Sequence, residues 1–463
     1  MSKTVAILGA GPVGLAAAAH ALERGLSPLV LEQGAAVGHA VRAWAHVPMF
    51  SPWRFDIDAA AARRLAAEGW QQPDPAAHPT GGELLRDYLE PLGRSLSPWI
   101  RPGRRVVAVS REGIDKVRDA GRGAAAFVIE TEGPAGPERY RSEAVIDATG
   151  TWFQPNPGGA GRPVPGEAGN PAVSYGMPDV AGAARARYAG RRVGVLGGGH
   201  SAIGTLIALA DLPGTSAVWL CRAATTARAM GGGAADRLAA RGALGLDMAR
   251  LIAEGRVRVE TGFRLAAIAG SGPIRVQAED GRSLDLDELV IATGFRPDLA
   301  PLREVRVALD PALECPPALA PLIDPNLHSC GTVRPHGAAE LAHPEPGFFI
   351  AGMKSYGRAP TFLLATGHEQ VRSIVAALAG DAAAAARVEL ALPETGVCNG
   401  PAPQPARAAA AASGCCGGPA ATRADACCAR DAAAKDEGKA GCGCDAAPAA
   451  PTETVPAAAA ACC

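Results

Sequence analysis

Two glycine sets and a string of paired cysteines are the parts of this sequence whose residue types and spacing can do chemistry. The first set, Gly9-x-Gly11-x-x-Gly14, follows the apolar run 5–8 and opens an Ala-rich stretch that reads as a helix to about Arg24. Each glycine serves a phosphate: Gly9 permits a tight turn, Gly11 lets the backbone approach a pyrophosphate, and Gly14 lets helix and strand pack closely. The helix start adds unpaired N–H groups and the positive end of its dipole. A second apolar run, 29–31, ends in Glu32, 18 residues beyond Gly14, where a carboxylate can accept both hydroxyls of an adenosine ribose. Strand, turn, helix and acid together read as a dinucleotide cradle.

The second set is Gly197-x-Gly199-x-x-Ala202, with His200 and Ser201 inside it, between a strand at 192–196 and a helix at 203–212. Alanine in the last place still allows close packing, slightly loosened. The next apolar run ends in Cys221-Arg222 where Glu32 stood before, and a cation there suits a ribose 2′-phosphate, favouring NADPH over NADH. The plain alternative is a surface arginine at a strand end. His200 reads as a loop residue near the nicotinamide face or as a solvated side chain. The proline-rich stretch 312–337 carries Cys315, His328, Cys330 and His336 in a spacing that matches no zinc pattern, so it reads as a loop against the cofactor pocket. His200 and Cys330 are the candidate catalytic side chains.

Of 12 cysteines, nine lie from Cys398 onward, and eight of those stand in close pairs: Cys415-Cys416, Cys427-Cys428, Cys442-x-Cys444 and Cys462-Cys463. Residues 396–463 hold no Leu, Ile, Met, Phe, Tyr or Trp, so they cannot bury a core and are expected to be disordered. Thiol pairs without histidine on an Ala/Gly/Pro chain suit a soft ion such as As(III), Hg(II), Cu(I) or Cd(II), which prefers thiolate to oxygen or imidazole. These eight cysteines are the candidate metal ligands, against a low-complexity tail whose cysteines are incidental.

The elements that must position these residues are those of an α/β protein. At 463 residues the chain is long enough for two or three domains. Apolar strand ends close in Ala148-Thr149-Gly150 and again, about 140 residues on, in Ala292-Thr293-Gly294; the repeat resembles the turns that end a strand where the chain of a two-dinucleotide flavoprotein crosses between domains, which implies a module inserted between the copies. The expected fold is therefore two Rossmann-like dinucleotide-binding domains, one inserted in the other, plus the tail: 1–165 and 291–395 for the outer domain, 166–290 for the insert and 396–463 for the tail. The aromatic and proline cluster 48–55 falls where a dinucleotide domain passes over the isoalloxazine end of a flavin, or else is a loop anchored by Trp53. Gly352 follows a final apolar strand at 348–351, and a helix entered at Pro360-Thr361 is placed to face the flavin pyrimidine. Lys and Arg (45) balance Asp and Glu (46), so no basic field points to nucleic acid or an anionic membrane. No apolar run reaches the ~18 residues of a membrane span, and a cytoplasmic location is expected.

GAGPVG near the N-terminus, GGGHSA in the insert, the two ATG turns and the ending GMKSYGRAPTFLLATGHEQ together resemble the two-dinucleotide-binding-domain flavoproteins over residues 3 to about 380. FSPW and that ending are more similar to flavin-containing and Baeyer–Villiger monooxygenases than to disulfide reductases, which place Asp where Met353 stands. The sequence departs from those monooxygenases at VSYGMPDVAG, where Gly176 and Asp179 occur without the Phe and His of an F-x-G-x-x-x-H fingerprint. No C-x-x-x-x-C follows Glu32 and no C-x-x-C occurs in the insert, as a disulfide reductase would need. With its tail, the chain resembles flavin monooxygenases associated with bacterial arsenic resistance. The resemblance implies FAD at Gly9, Gly11, Gly14, Glu32, Trp53, Gly150, Gly294, Gly352 and Thr361, and NADPH at Gly197, Gly199, Ser201 and Arg222. It further implies O₂ as a co-substrate and a small-molecule or metalloid substrate. The other readings are N- or S-hydroxylation of an organic compound, reduction of a metal ion held by a tail dithiol, and sequestration without catalysis.

Overall fold

A computed structural model describes residues 2–231, 233, 239–327, 333–359, 362–390 and 429–437. The first strands are β1 (Thr4–Leu8), β2 (Ser27–Leu31), β3 (Ile100–Arg101), β4 (Arg105–Arg111), β5 (Phe127–Gly133), β6 (Gly136–Ser142) and β7 (Ala144–Asp147). Next come β8 (Val173–Tyr175), β9 (Arg192–Leu196), β10 (Ser216–Leu220), β11 (Val257–Glu260) and β12 (Leu265–Ala269). The last are β13 (Ile274–Ala278), β14 (Ser283–Leu286), β15 (Glu288–Ile291) and β16 (Phe348–Ile350).

One parallel sheet has the order β16-β7-β1-β2-β3 and a second the order β11-β10-β9-β15-β8. Parallel strands covered on both faces need uninterrupted apolar side chains. Val5, Ala6, Ile7, Val145, Ile146, Val193, Val195 and Val290 accordingly have no exposed surface. All strands of the second sheet fall, in sequence, between β7 and β16 of the first. Three helices flank the cradles: α1 (Pro12–Glu23), α2 (His200–Ala210) and α3 (Leu364–Leu378). α1 lies between the first sheet and α3, and its Ala16 to Ala19 are at most 2% exposed. Small side chains on both flanks let the helix approach two neighbours at once, and Pro12 at its start has no N–H to leave unpaired.

The chain passes between the sheets twice, after β7 and after β15. The two passages are tied to each other: Asn156 N donates to Gly294 O at 2.9 Å, Arg296 N to Gln154 O at 3.0 Å and the Thr293 hydroxyl to Asn156 O at 2.8 Å. Trp152 and Phe295, one from each passage, stack with ring centroids 4.8 Å apart. Gly176 sits against this stack, where a Cβ would come 3.2 Å from Phe295.

Several expectations are corrected. β4 and β5 form an antiparallel sheet with β6, whose polar Gly136–Ser142 hides a half-buried alternation, a sheet that the expected pair of dinucleotide domains did not include. A second antiparallel sheet, β12-β13-β14, also escaped the reading. The helix expected to begin at 203 begins at His200, so His200 is the first residue of a helix and not a loop residue. The helix expected at Pro360-Thr361 begins at Leu364, and those two residues lie outside the described ones.

The chain separates into two compact units, Met1–Gly400 and Pro401–Cys463. Within the stretch 396–463, expected to carry no structure, Ala429–Asp436 is a helix. Its sequence ARDAAAKD explains why: alanine is the strongest helix former, and Asp431 and Lys435 stand four apart, with the lysine in the last turn. The eight candidate cysteine ligands of the tail lie outside the described residues. Among the described residues no helix is long and apolar enough to cross a membrane.

Candidate functional site

The turn between β1 and α1 is built by contact. Gly9 has φ +96°, and a Cβ there would lie 2.9 Å from the Ala148 carbonyl oxygen. A Cβ on Gly14 would fall 1.9 Å from Gly9 O, so only glycine lets α1 begin this close to the strand. Around Gly11, by contrast, no atom lies within 4 Å of a Cβ, and the space faces a cavity of about 990 Å³. Glu32 closes the turn: its Oε2 accepts from Ala10 N and its Oε1 from Gly34 N, both at 2.7 Å. Burial raises its carboxyl above the usual range, and the two N–H groups partly oppose that shift.

The second turn repeats this plan. A Cβ on Gly197 would lie 2.3 Å from the carbonyl oxygen of Ala292, the counterpart of Ala148, and Gly199 again opens on free space. Ala148 N donates to Leu8 O at 2.9 Å and Ala292 N to Leu196 O at 2.8 Å, so each ATG segment is fixed beside its own glycine turn. That approach is what requires glycine at 9 and at 197.

The cavity extends from Gly11 and Glu32 to His200, Ser201 and Gly204 at the start of α2. Gly9, Gly150 and Gly352 line it, and the ring of His200 meets Phe50 edge-on at 5.2 Å. Gly14, Gly197 and Gly199 shape the turns without lining the cavity, and Gly294 reaches it only through its neighbour Phe295. Arg222 lies apart, on a smaller cavity of about 350 Å³ shared with Arg264, Gly262 and Glu279. Trp53 is a correction: it is 4% exposed, packs in the core around α1 and does not line the cavity, so the anchoring role holds. Cys330 and Thr361 lie outside the described residues. Cys221 and Cys315 are buried free thiols, and burial pushes the Cys315 thiol up to about 12, which leaves it unreactive. Among the described residues no group of His, Cys, Asp and Glu is arranged to hold a metal ion.

Two polar constellations beside the cavity were missed. Lys354 Nζ donates to Asp147 Oδ2 at 2.7 Å and to the Thr149 hydroxyl at 3.0 Å, with both charged side chains 2% exposed. Behind Gly352, whose N–H donates to Gln370 Oε1 at 2.7 Å, the Gln370 amide NH₂ donates to the Ser355 hydroxyl and to His336 Nε2. His336 Nε2 therefore accepts while its Nδ1 donates to Arg334 O, and burial holds the ring neutral by lowering its pKa. The only advance signal for the ion pair was an aspartate closing an apolar strand; its lysine is 207 residues away.

The sequence profile of the pyridine nucleotide-disulphide oxidoreductases matches residues 6–316. The chain belongs to this family. It is a flavin-dependent oxidoreductase that uses FAD and NAD(P)H. Similar solved structures include the bacillithiol disulfide reductase Bdr (YpdA) from Bacillus cereus, 21% identical with a TM-score of 0.62, the match covering 82% of this chain and 99% of that one. Its namesake from Staphylococcus aureus is 16% identical, TM-score 0.59, over 82% and 99%. A flavin-containing monooxygenase from Stenotrophomonas maltophilia is 20% identical, TM-score 0.52, over 82% and 98%. At these identities the likeness shows a shared fold. No curated protein matches the sequence.

Proposed function

We propose that this flavoprotein is an NADPH-dependent monooxygenase that handles a thiophilic metalloid such as As(III), with the C-terminal cysteine pairs capturing the ion. The observation that carries the redox half of this reading is the cavity of about 990 Å³ onto which the Gly11 turn and the start of α2 both open. The Gly9, Gly11 and Gly14 turn fits FAD: the space a Gly11 Cβ would enter is free, and α1 supplies N–H groups for a pyrophosphate. Glu32 would take the ribose, and Gly150, Gly294, Gly352 and Thr361 would lie along the flavin's path. Gly197, Gly199 and Ser201 would hold NADPH, with Arg222 on its 2′-phosphate. In this reading 1–165 and 291–395 bind FAD and 166–290 binds NADPH. FAD supplies two-electron chemistry between the nicotinamide and the final acceptor.

The metalloid half rests on Cys415, Cys416, Cys427, Cys428, Cys442, Cys444, Cys462 and Cys463. Pairs of thiols spaced ten to seventeen residues apart let one chain supply a third thiolate to a trigonal ion without a second molecule. The buried, unreactive Cys315 and the buried Cys221 favour oxygenation over dithiol exchange within the core. A second reading, hydroxylation of an organic amine or sulfide, is favoured by the aromatic side chains Phe50, Trp152, Phe153 and Phe295 along the cavity.

The test is NADPH oxidation by the FAD-loaded protein with arsenite, methylarsenite, Hg(II), simple amines and sulfides, using the full chain and a chain ending at residue 397. Metalloid-dependent turnover that falls on truncation supports the first reading. Turnover of amines or sulfides untouched by truncation replaces it with the second.

A further inference from the structure

Beside the cavity a carboxylic acid is buried without a charged partner. Asp56 has no exposed surface, its Oδ1 lies 2.6 Å from the Ser51 hydroxyl, and its Oδ2 has no hydrogen-bond partner among the described residues. Ser51 is 6% exposed and lines the cavity, next in sequence to Phe50, whose ring meets that of His200. The titratable groups around this pair belong to other contacts. His20 of α1 is 2.9 Å from Asp58, Asp58 also caps Ala61 N and bonds the Tyr88 hydroxyl through its N–H, and His368 of α3 is buried, which lowers its pKa. Tyr88 itself is pushed far up by burial. Among the described residues no cation compensates Asp56, and burial lifts its carboxyl to about 7, opposed by Ser51.

Either chemistry open to this family needs an acid. Disulfide reduction converts NAD(P)H, one proton and a disulfide into NAD(P)⁺ and two thiols. Monooxygenation converts NAD(P)H, one proton, O₂ and substrate into NAD(P)⁺, water and the oxygenated product. Each takes one proton from the medium per NAD(P)H.

We propose that Asp56, acting through the Ser51 hydroxyl, stores and delivers that proton to the cavity. As an acceptor in the cavity takes the Ser51 hydroxyl proton, the Asp56 carboxyl passes its own to Ser51 Oγ; the 2.6 Å contact serves with either oxygen as donor. The carboxylate left behind accepts from Ser51, which is the bond seen, and is reprotonated from solvent along the same path. Asp56 thus acts by way of Ser51. The inference rests on the reading that this cavity holds the FAD.

The experiment uses the full-length, FAD-loaded protein. A single turnover of NADPH in air, in weak buffer with a pH indicator, follows proton uptake together with flavin bleaching and recovery, while infrared titration follows the protonated carboxyl band. Wild type is expected to take up one proton per NADPH over that cycle and to lose a carboxyl band near pH 7. D56N is expected to lack the band, S51A to shift it, and both to slow uptake by about 100-fold, the usual worth of a positioned acid, with FAD content retained. D56E restores part of the rate. Should D56N fail to fold, S51A decides, since it removes one oxygen from the wall. Uptake at the wild-type rate in FAD-containing S51A, or the absence of the band from wild type at pH 6, overturns the proposal. A wild-type protein purified without flavin faults the FAD site instead, and leaves the infrared result to stand on its own.

Discussion

The two glycine turns share a plan and differ in how tightly they are closed. In the first, Gly14 stands so near Gly9 that no side chain fits, and Glu32 is buried against two backbone N–H groups. In the second, Ala202 replaces that glycine, the Gly197 carbonyl accepts instead from the Trp219 indole at 2.7 Å, and the strand-end residue Arg222 is exposed on a separate cavity. A turn sealed by its own backbone suits a ligand that stays. A turn with a methyl group at its seam and an exposed cation at its edge suits one that comes and goes, as the roles proposed for FAD and NADPH require.

The hardest test of this contrast is Gly14→Val. The side chain would strike Gly9 O, and overpacking of at least about 3 kcal/mol is expected because backbone cannot yield, seen as a collapsed melting temperature and loss of FAD. Unaltered melting would remove the tight seam from the argument. Gly11→Val should act differently, because nothing crowds that position: the apoprotein melts as wild type does, yet purifies without flavin. Stoichiometric FAD in this variant would place the pyrophosphate elsewhere.

Next in size is a pH effect beside the first turn. With its carboxyl raised from 3.8 to about 7 in the folded state, Asp56 leaves stability intact below pH ~4 and lowers it as pH rises through 7. Asp56→Asn should therefore be the more stable protein at pH 8, by up to about 4 kcal/mol, with the gain vanishing by pH 4 in urea titrations. A gain that grows toward acid would contradict the assigned shift. Arg222→Ala should cost NADPH about 1.5 to 3 kcal/mol of affinity, the worth of a charged hydrogen bond, and leave NADH binding alone; equal losses by titration calorimetry would make Arg222 a bystander. The smallest effect is expected for Ala202→Gly, about 1 kcal/mol from helix propensity, with NADPH binding retained.

What could be read from the chain was local. Glycine spacing, an acid at a strand end and a cation in its place are all set within 30 residues, so both turns and both parallel sheets were legible. The antiparallel sheets were not, because β6 and β14 carry polar residues on an open face and resemble loop sequence. Trp53 misled because an aromatic beside prolines looks the same whether it meets a ligand or the back of α1. Asp147 with Lys354, and Gln370 with His336, are pairs made by the fold across many residues, which no spacing announces. The tail helix escaped for the opposite reason: without large apolar residues it has no tertiary signature, only alanine's own preference.

The paired passages between the sheets carry a mechanical consequence. A single covalent connection is a swivel, free to twist as well as bend. Here two antiparallel segments are cross-linked by Asn156, Thr293 and Arg296 and faced by the Trp152–Phe295 stack. A double strap of that kind resists torsion and leaves bending about one axis, so any relative motion of the two sheets is confined to the opening and closing of a book whose spine is this pair of rings.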